Sequence, residues 1–248
     1  LKADSQYLIP KHLLTRLVGF FAGAKMGGLT TAMIKSFIKH YKINTKEIIG
    51  KPEEYKTFND FFARQIQPDA RPINMTDNVL VFPADGKISQ FGAIEDKFML
   101  QAKNHYYTVN ALLANSPEAK LFKNGDFITT YLSPKDYHRV HIPFDGTLTK
   151  MIHVPGDLFS VNKFNAEHIP ELFARNERVI CFFDTSIGKM AVVLVGATIV
   201  RSISTVWSGV VAPSKNKDIS VYDYTDNNKS FPKGVEIGKF FMGSTVIC

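Results

Sequence analysis

From Val79 to Phe241 the sequence is a succession of short β-rich runs punctuated by turn signals, and this rhythm limits the fold more than any other feature. The runs are Val79 to Phe82, Lys87 to Phe91, Phe127 to Leu132, Thr147 to Val154, Arg178 to Asp184, Met190 to Ile203, Val206 to Ala212 and Val235 to Phe241. Asp85-Gly86, Asn124-Gly125, Asp145-Gly146 and Pro155-Gly156 mark turns between them, because glycine reaches the backbone angles a tight reversal needs and Asp or Asn bonds its own turn. Short strands so separated predict an antiparallel β domain of sandwich or barrel type. Residues 101–122 and 162–176 read as helical or irregular, and polar Lys215 to Lys233 reads as an exposed, mobile loop.

The chain before Val79 has a different period. Leu13, Leu14, Leu17, Val18 and Phe21 make one helical stripe; Met33, Ile34, Phe37, Ile38 and Tyr41 make a second, with Thr30 or Thr31 as its cap. Gly23, Gly27 and Gly28 break the two apart. Neither apolar stretch approaches the ~18 residues of a spanning helix. The first lacks a small-residue cleavage site and runs into a second basic helix, which excludes a signal segment. Thr57-Phe58-Asn59-Asp60 has the form of a capping box opening a helix from Phe58 to Gln65. The expected class is α+β, mainly antiparallel β, with N-terminal amphipathic helices. It divides into a basic segment, residues 1–50, and a β-rich body, residues 51–248.

Charge supports that division. Residues 1–50 hold eight Lys/Arg against Asp4 and Glu47, nearly the whole of the net +7 carried by 248 residues. The basic residues are interleaved with Leu, Phe, Met and Ile, which suits an anionic lipid surface better than nucleic acid. The other reading is a helical hairpin packed on the body. Two cysteines, Cys181 and Cys248, make no disulfide framework, and Cys181 in its apolar run reads as a core thiol in a reducing compartment. Leu1, where an initiator Met would stand, predicts a trimmed or processed start.

Three places can carry chemistry. Gly243-Ser244-Thr245 follows a β-like run. Glycine leaves its carbonyl open to the next side chain, so Ser244 Oγ can add to the Gly243 carbonyl. Elimination then cuts the chain and leaves a dehydroalanine that hydrolyses to a pyruvoyl group. Read locally, the same tripeptide is a turn. His138 and His141 share a segment bounded by Pro134 and Pro143; they read as catalytic groups, as two metal ligands short of a third, or as hydrogen-bonded structure. Asp85 is a turn residue or a carboxylate placed to orient a histidine.

These motifs, in this order, resemble the phosphatidylserine decarboxylase family: Ala84-Asp85-Gly86, His138-Arg139-Val140-His141 and Gly243-Ser244-Thr245. The likeness extends to Thr57 to Arg64, Arg71-Pro72-Ile73, Pro155 to Asn162, Leu172 to Val179 and Val195 to Val200, and is closest to the bacterial and mitochondrial branch. Met242 stands where the family has Leu, and family chains run on well past the cleavage point, whereas this sequence stops at Cys248.

The resemblance implies a pyruvoyl-dependent carboxy-lyase made from a proenzyme. Asp85, His141 and Ser244 would form the self-cleavage triad, with cleavage between Gly243 and Ser244 into a large and a small subunit. Ser244 would become the covalent pyruvoyl cofactor, an electron sink for loss of CO2 from phosphatidylserine to give phosphatidylethanolamine. His138 would contact the headgroup carboxylate or handle the incoming proton. The implied partners are the substrate, an anionic membrane surface and a second copy, as a homodimer of such heterodimers, with no nucleic acid and no metal. The implied location is peripheral, on the cytoplasmic face of a bacterial inner membrane or on the mitochondrial inner membrane. A zinc hydrolase using His138 and His141, and a lipid-binding module without catalysis, are the alternatives.

Overall fold

The computed structural model describes residues 18–102, 105–197, 202–214, 216–241 and 244–248. Its strands are β1 (Lys87–Ala93), β2 (Phe98–Ala102), β3 (His105–Thr108), β4 (Asp126–Leu132), β5 (Arg139–His141), β6 (Gly146–Val154), β7 (Arg178–Thr185), β8 (Gly188–Val195), β9 (Ile203–Thr205), β10 (Gly209–Ala212), β11 (Ser220–Asp223), β12 (Lys229–Phe231), β13 (Glu236–Phe240) and β14 (Ser244–Ile247). The helices are α1 (Gly28–Tyr41), α2 (Phe58–Phe62), α3 (Val109–Leu112), α4 (Lys163–Ala166) and α5 (Leu172–Arg175).

Alternation along the strands sets the layers. On β7, Val179, Cys181 and Phe183 face one apolar layer, and Ile180 and Phe182 face another. On β8, Val192 and Leu194 join the first set, and Val193 and Val195 the second. A strand buried on both faces must be apolar throughout, which is why the run from Val179 to Phe183 carries no polar residue. Both strands lie inside an eight-stranded antiparallel sheet ordered β1-β4-β14-β8-β7-β6-β11, with β12 also on β6. A four-stranded sheet, β10-β9-β13-β5, covers the first layer, and the β2–β3 hairpin with α3, α4 and α5 covers the second. Each fully buried large apolar side chain contributes about 1.5–3 kcal/mol.

The fold is therefore the expected mainly antiparallel α+β type, with open sheets stacked as a sandwich rather than closed as a barrel. Several local expectations are corrected. Val79 to Phe82 forms no strand; Val81 N–H makes one backbone bond, to Pro143 O. The run from Met190 to Ile203 divides into β8 and β9, with residues 198–201 outside the described set. Residues 98–122 hold the β2–β3 hairpin before any helix. The polar stretch 215–233 supplies β11 and β12, both paired to the outer edge of β6. An edge strand needs no apolar face, so its composition did not announce it.

At the N-terminal side, residues 18–23 are helical and residues 1–17, including most of the first stripe, lie outside the described set. The α1 helix starts one residue after Gly27, which is its N-cap with φ 54°; Thr30 accepts from Met26 N–H instead of capping from in front. The α1 stripe packs inward. Ile34 is fully buried with Phe58, Phe61 and Phe62, and Met33, Phe37, Ile38 and Tyr41 rest on the same cluster. The structure thus packs α1 on the body, while Phe20 (71% exposed), Phe21 and Leu29 remain outside that cluster. The capping box is formed in both directions, Asp60 N–H to Thr57 Oγ1 and Thr57 N–H to Asp60 Oδ2, but α2 ends at Phe62 rather than Gln65.

Candidate active site

The histidine segment is a strand with two tight ends. Ser133 and Asp136 close a turn, with Asp136 Oδ2 accepting both the N–H and the hydroxyl of Ser133 at 2.7 Å. Pro143 removes a ladder donor at the other end. Between them β5 pairs antiparallel with β13, Glu236 opposite His141 and Lys239 opposite Arg139, and Phe240 N–H reaches His138 O at 3.0 Å. The register has a direct consequence. β13 runs toward Ser244, so His138 sits at the Ser244 end of β5 and His141 at the far end, about 10 Å along the strand at ~3.3 Å per residue.

After Phe240 the chain leaves the small sheet and enters the large one at Ser244, the first residue of β14, opposite Leu132. Ser244 shares its sheet face with Val246, which packs between the two sheets. It is fully buried, and its Oγ has no hydrogen-bond partner among the described residues. Gly243, the other half of the expected cleavage site, lies outside the described residues.

His138 is also fully buried. Its ring lies against Phe62, centroids 4.2 Å apart, and Nδ1 donates to Asp136 O at 2.7 Å. A carbonyl only accepts, so Nδ1 carries the proton and Nε2 keeps a lone pair; Nε2 has no partner among the described residues. Burial, reinforced by the nearby Arg64 charge, pulls the His138 pKa down to about 3, so the ring is neutral at ordinary pH.

His141 is half-buried and faces a cleft of about 1210 Å³. Nδ1 donates to Gly234 O at 2.7 Å, and the other nitrogen, Nε2, lies 3.2 Å from the Tyr137 hydroxyl. Burial pushes the Tyr137 phenol up to about 12. His141 N–H also bonds Pro83 O, which brings the Asp85 loop alongside β5. Asp85 lines the same cleft, with its hydrogen bonds going to Arg71 rather than to His141. It takes a two-pronged grip from Arg71, Nε at 2.8 Å and Nη2 at 2.6 Å, and Arg71 also holds Glu47 at 2.9 Å. Those two carboxylates keep the Arg71 guanidinium charged, and Arg71 holds Glu47 below the usual carboxylate range.

The structure thus gathers Asp85 and His141 in one cleft and sets Ser244 and His138 in the adjoining interior, without a hydrogen bond joining the three expected triad members. Gly86 seals the wall between β1 and β4: with φ +152°, a Cβ there would lie 2.3 Å from Tyr131 O. The apolar side of the cleft comes from Ile73, Val79, Leu80, Phe82 and Ile88. Arg71, Tyr137 and Gly234 were not singled out in the sequence as partners of these groups; only Arg71-Pro72 carried a signal, as part of the resemblance. Among the described residues no three or more His, Cys, Asp or Glu side chains converge as metal ligands, and no helix is long and apolar enough to cross a membrane.

Comparison with known proteins places the chain. A family profile described as Phosphatidylserine decarboxylase matches residues 58–248, and a second, described as PSD, matches residues 1–42. The chain is 55% identical over 251 residues to a phosphatidylserine decarboxylase proenzyme of Haemophilus ducreyi, covering 99% of this chain and 84% of that protein. It is 52% identical to the proenzyme of Shewanella sp. strain ANA-3, covering 99% and 86%, and 55% identical to that of Klebsiella pneumoniae strain 342, covering 100% and 79%. The chain belongs to the phosphatidylserine decarboxylase family, a family of carboxy-lyases.

Proposed function

We propose that this chain is a proenzyme that cuts itself between Gly243 and Ser244 and then converts phosphatidylserine to phosphatidylethanolamine and CO2 at a membrane surface. The observation that carries the reading is Ser244: a fully buried hydroxyl with no partner among the described residues, at the point where the chain crosses between sheets beside the histidine strand. Thr129, Thr130 and Thr245 also bury unpartnered hydroxyls; what sets Ser244 apart is that a glycine carbonyl precedes it in the chain, open to attack by its Oγ. The site also fits the implied cofactor, since the group is built from this residue and needs its Oγ free of other bonds. When formed, a pyruvoyl group supplies an electrophilic ketone and an acceptor for the electron pair released with CO2.

The chain's own residues divide the work as follows. Ser244 Oγ adds to the Gly243 carbonyl, converting the amide to an ester; elimination across Cα–Cβ of residue 244 breaks the ester C–O bond and frees Gly243 as a carboxylate. The dehydroalanine so formed tautomerises to an imine, and water hydrolyses it, releasing ammonia and supplying the ketone oxygen. His141 is the base: its Nδ1 proton is fixed by Gly234 O, leaving Nε2 as the basic nitrogen. With the Nδ1 proton held by Gly234 O, Asp85 acts through its charge once released from Arg71, stabilising the imidazolium across the cleft that both residues line. The apolar wall of the cleft admits the lipid and keeps water from the headgroup. Exposed Phe20, Phe21 and Leu29 with the basic N-terminal segment hold the protein on anionic lipid, peripherally, at the cytoplasmic face of a bacterial inner membrane, with a homodimer of cleaved pairs as the assembly.

A second reading exchanges the histidines. The unpartnered ring nitrogen is His138 Nε2, and His138 lies at the Ser244 end of β5. Against it stands the depressed His138 pKa of about 3, which makes a poor proton acceptor at neutral pH. Denaturing electrophoresis and intact mass separate the possibilities. Ser244→Ala and His141→Ala are expected to stay single, inactive chains, and His138→Ala to cleave yet turn over poorly. A cleaved Ser244→Ala product sinks the whole proposal; an uncleaved His138→Ala beside a cleaved His141→Ala reverses the histidine roles.

A further inference from the structure

The Arg64 side chain is buried to 4% exposure in the middle of this region. Its Nη2 donates to Lys135 O at 2.8 Å and Asp136 O at 3.3 Å, yet Nε and Nη1 have no partner among the described residues. The Phe61 ring lies 5.3 Å from the guanidinium carbon. The carboxylates that act on it electrostatically are all engaged elsewhere: Asp85 and Glu47 by Arg71, Asp136 by Ser133. Arg139, by contrast, holds Glu236 at 2.7 Å. The other deeply buried arginine, Arg178, places all three nitrogens on the carbonyls of Ala111, Leu112, Ala174 and Asn176. Arg178 is thus saturated, whereas Arg64 keeps a buried charge short of acceptors, an unfavourable arrangement that an anion would complete.

The place of that charge narrows the anion. Arg64 Nη2 and His138 Nδ1 share one acceptor, Asp136 O, so the guanidinium sits directly beside the His138 ring. The next residue, Tyr137, lines the cleft with Asp136. We propose that Arg64 binds the phosphodiester of the lipid headgroup, a role that rests on the decarboxylase reading above. The headgroup offers a second anion, its carboxylate, but that group must lose its charge as CO2. A guanidinium clamped on it would stabilise the ground state more than the transition state and slow the reaction. The phosphodiester keeps its charge from substrate to product, so holding it affects binding without opposing chemistry.

The test uses the full chain as wild type, Arg64→Gln and Arg64→Lys, with a short-chain phosphatidylserine as substrate and short-chain phosphatidylethanolamine as competing product. Self-cleavage and melting temperature are recorded for each. Arg64→Gln is expected to raise KM about 10- to 100-fold, the range for a lost charge-assisted contact, with kcat within a few-fold of wild type. Product inhibition is expected to weaken by the same factor, because the product retains the phosphodiester. Arg64→Lys is expected to recover part of both losses, and it carries the test should Arg64→Gln not fold. Weakened substrate binding with unchanged product inhibition overturns the proposal in favour of the carboxylate. Unchanged KM with a fall in kcat or self-cleavage overturns it in favour of a residue that only fixes the 133–138 turn. If wild type neither cleaves nor decarboxylates, the functional reading fails; direct titration of the product lipid into wild type and Arg64→Gln still decides whether Arg64 binds a phosphodiester.

Discussion

His138 links stability to pH in a way the structure makes quantitative. In the fold its pKa is about 3, chiefly because burial disfavours the charged ring; unfolded, it returns to the ordinary 6.5. The unfolded chain therefore binds one more proton than the native one between those values. Stability from this group is fully present above pH 6.5 and is lost as pH falls toward 3, at about 1.4 kcal/mol per unit. From pH 7 to pH 5 the loss is about 2 kcal/mol, a large share of the ~5–15 kcal/mol typical of a folded domain. His138→Asn removes the titration while keeping a side-chain N–H for Asp136 O. Urea unfolding at pH 7 and pH 5, both chains carrying Ser244→Ala so that each stays uncut, gives the comparison. Other ionisable groups, including the buried His153–Glu177 pair at 3.0 Å, act equally in both proteins and cancel. Wild type is expected to lose about 2 kcal/mol more than the variant over that interval. Equal losses would falsify the claim that His138 is held neutral by burial.

Three further outcomes follow from the geometry. Gly86→Ala places a Cβ 2.3 Å from Tyr131 O, so a fall of about 2–3 kcal/mol is expected in unfolding free energy; a change under ~0.5 kcal/mol means the β1–β4 wall yields easily. Arg178→Met strips the buried carbonyls of Ala111, Leu112, Ala174 and Asn176 of their donor, and about 3–5 kcal/mol of destabilisation is expected in urea, where a near-neutral result shows that water replaces the guanidinium. Removing residues 1–21 takes away exposed Phe20 and Phe21 but spares α1 and its cluster; liposome binding is expected to weaken with the melting temperature nearly unchanged, and unaltered affinity returns the first helix to a packing role.

What the sequence showed and what it hid divide by the range of the interactions. The α2 capping box was legible because both of its bonds join Thr57 to Asp60. β7 and β8 were legible because strands buried on two faces advertise themselves as apolar runs, and β6, which carries Thr147, Thr149 and Lys150, was legible from the Asp145-Gly146 and Pro155-Gly156 turn signals that bound it. β5 was not, since three residues between prolines become a strand only when β13, distant in the chain, supplies the partner. β11 and β12 were hidden in polar sequence because β6 lends them its edge. The same division runs through the site. Asp85, His138, His141 and Ser244 could be named from local motifs, but not the Arg71 grip on Asp85, the Gly234 carbonyl that fixes the His141 tautomer, or the isolation of Arg64. The Gly-Ser-Thr step shows the point most sharply. Read along the chain it closes a β-run, whereas in space it opens β14, with the hydroxyl of Ser244 turned into the interior between two sheets. A serine in a surface turn is hydrated and inert. Here Ser244 is desolvated, with no partner for its Oγ among the described residues; the pairing of β14 with β4 buries it, and the β5–β13 register turns the His138 end of β5 toward it.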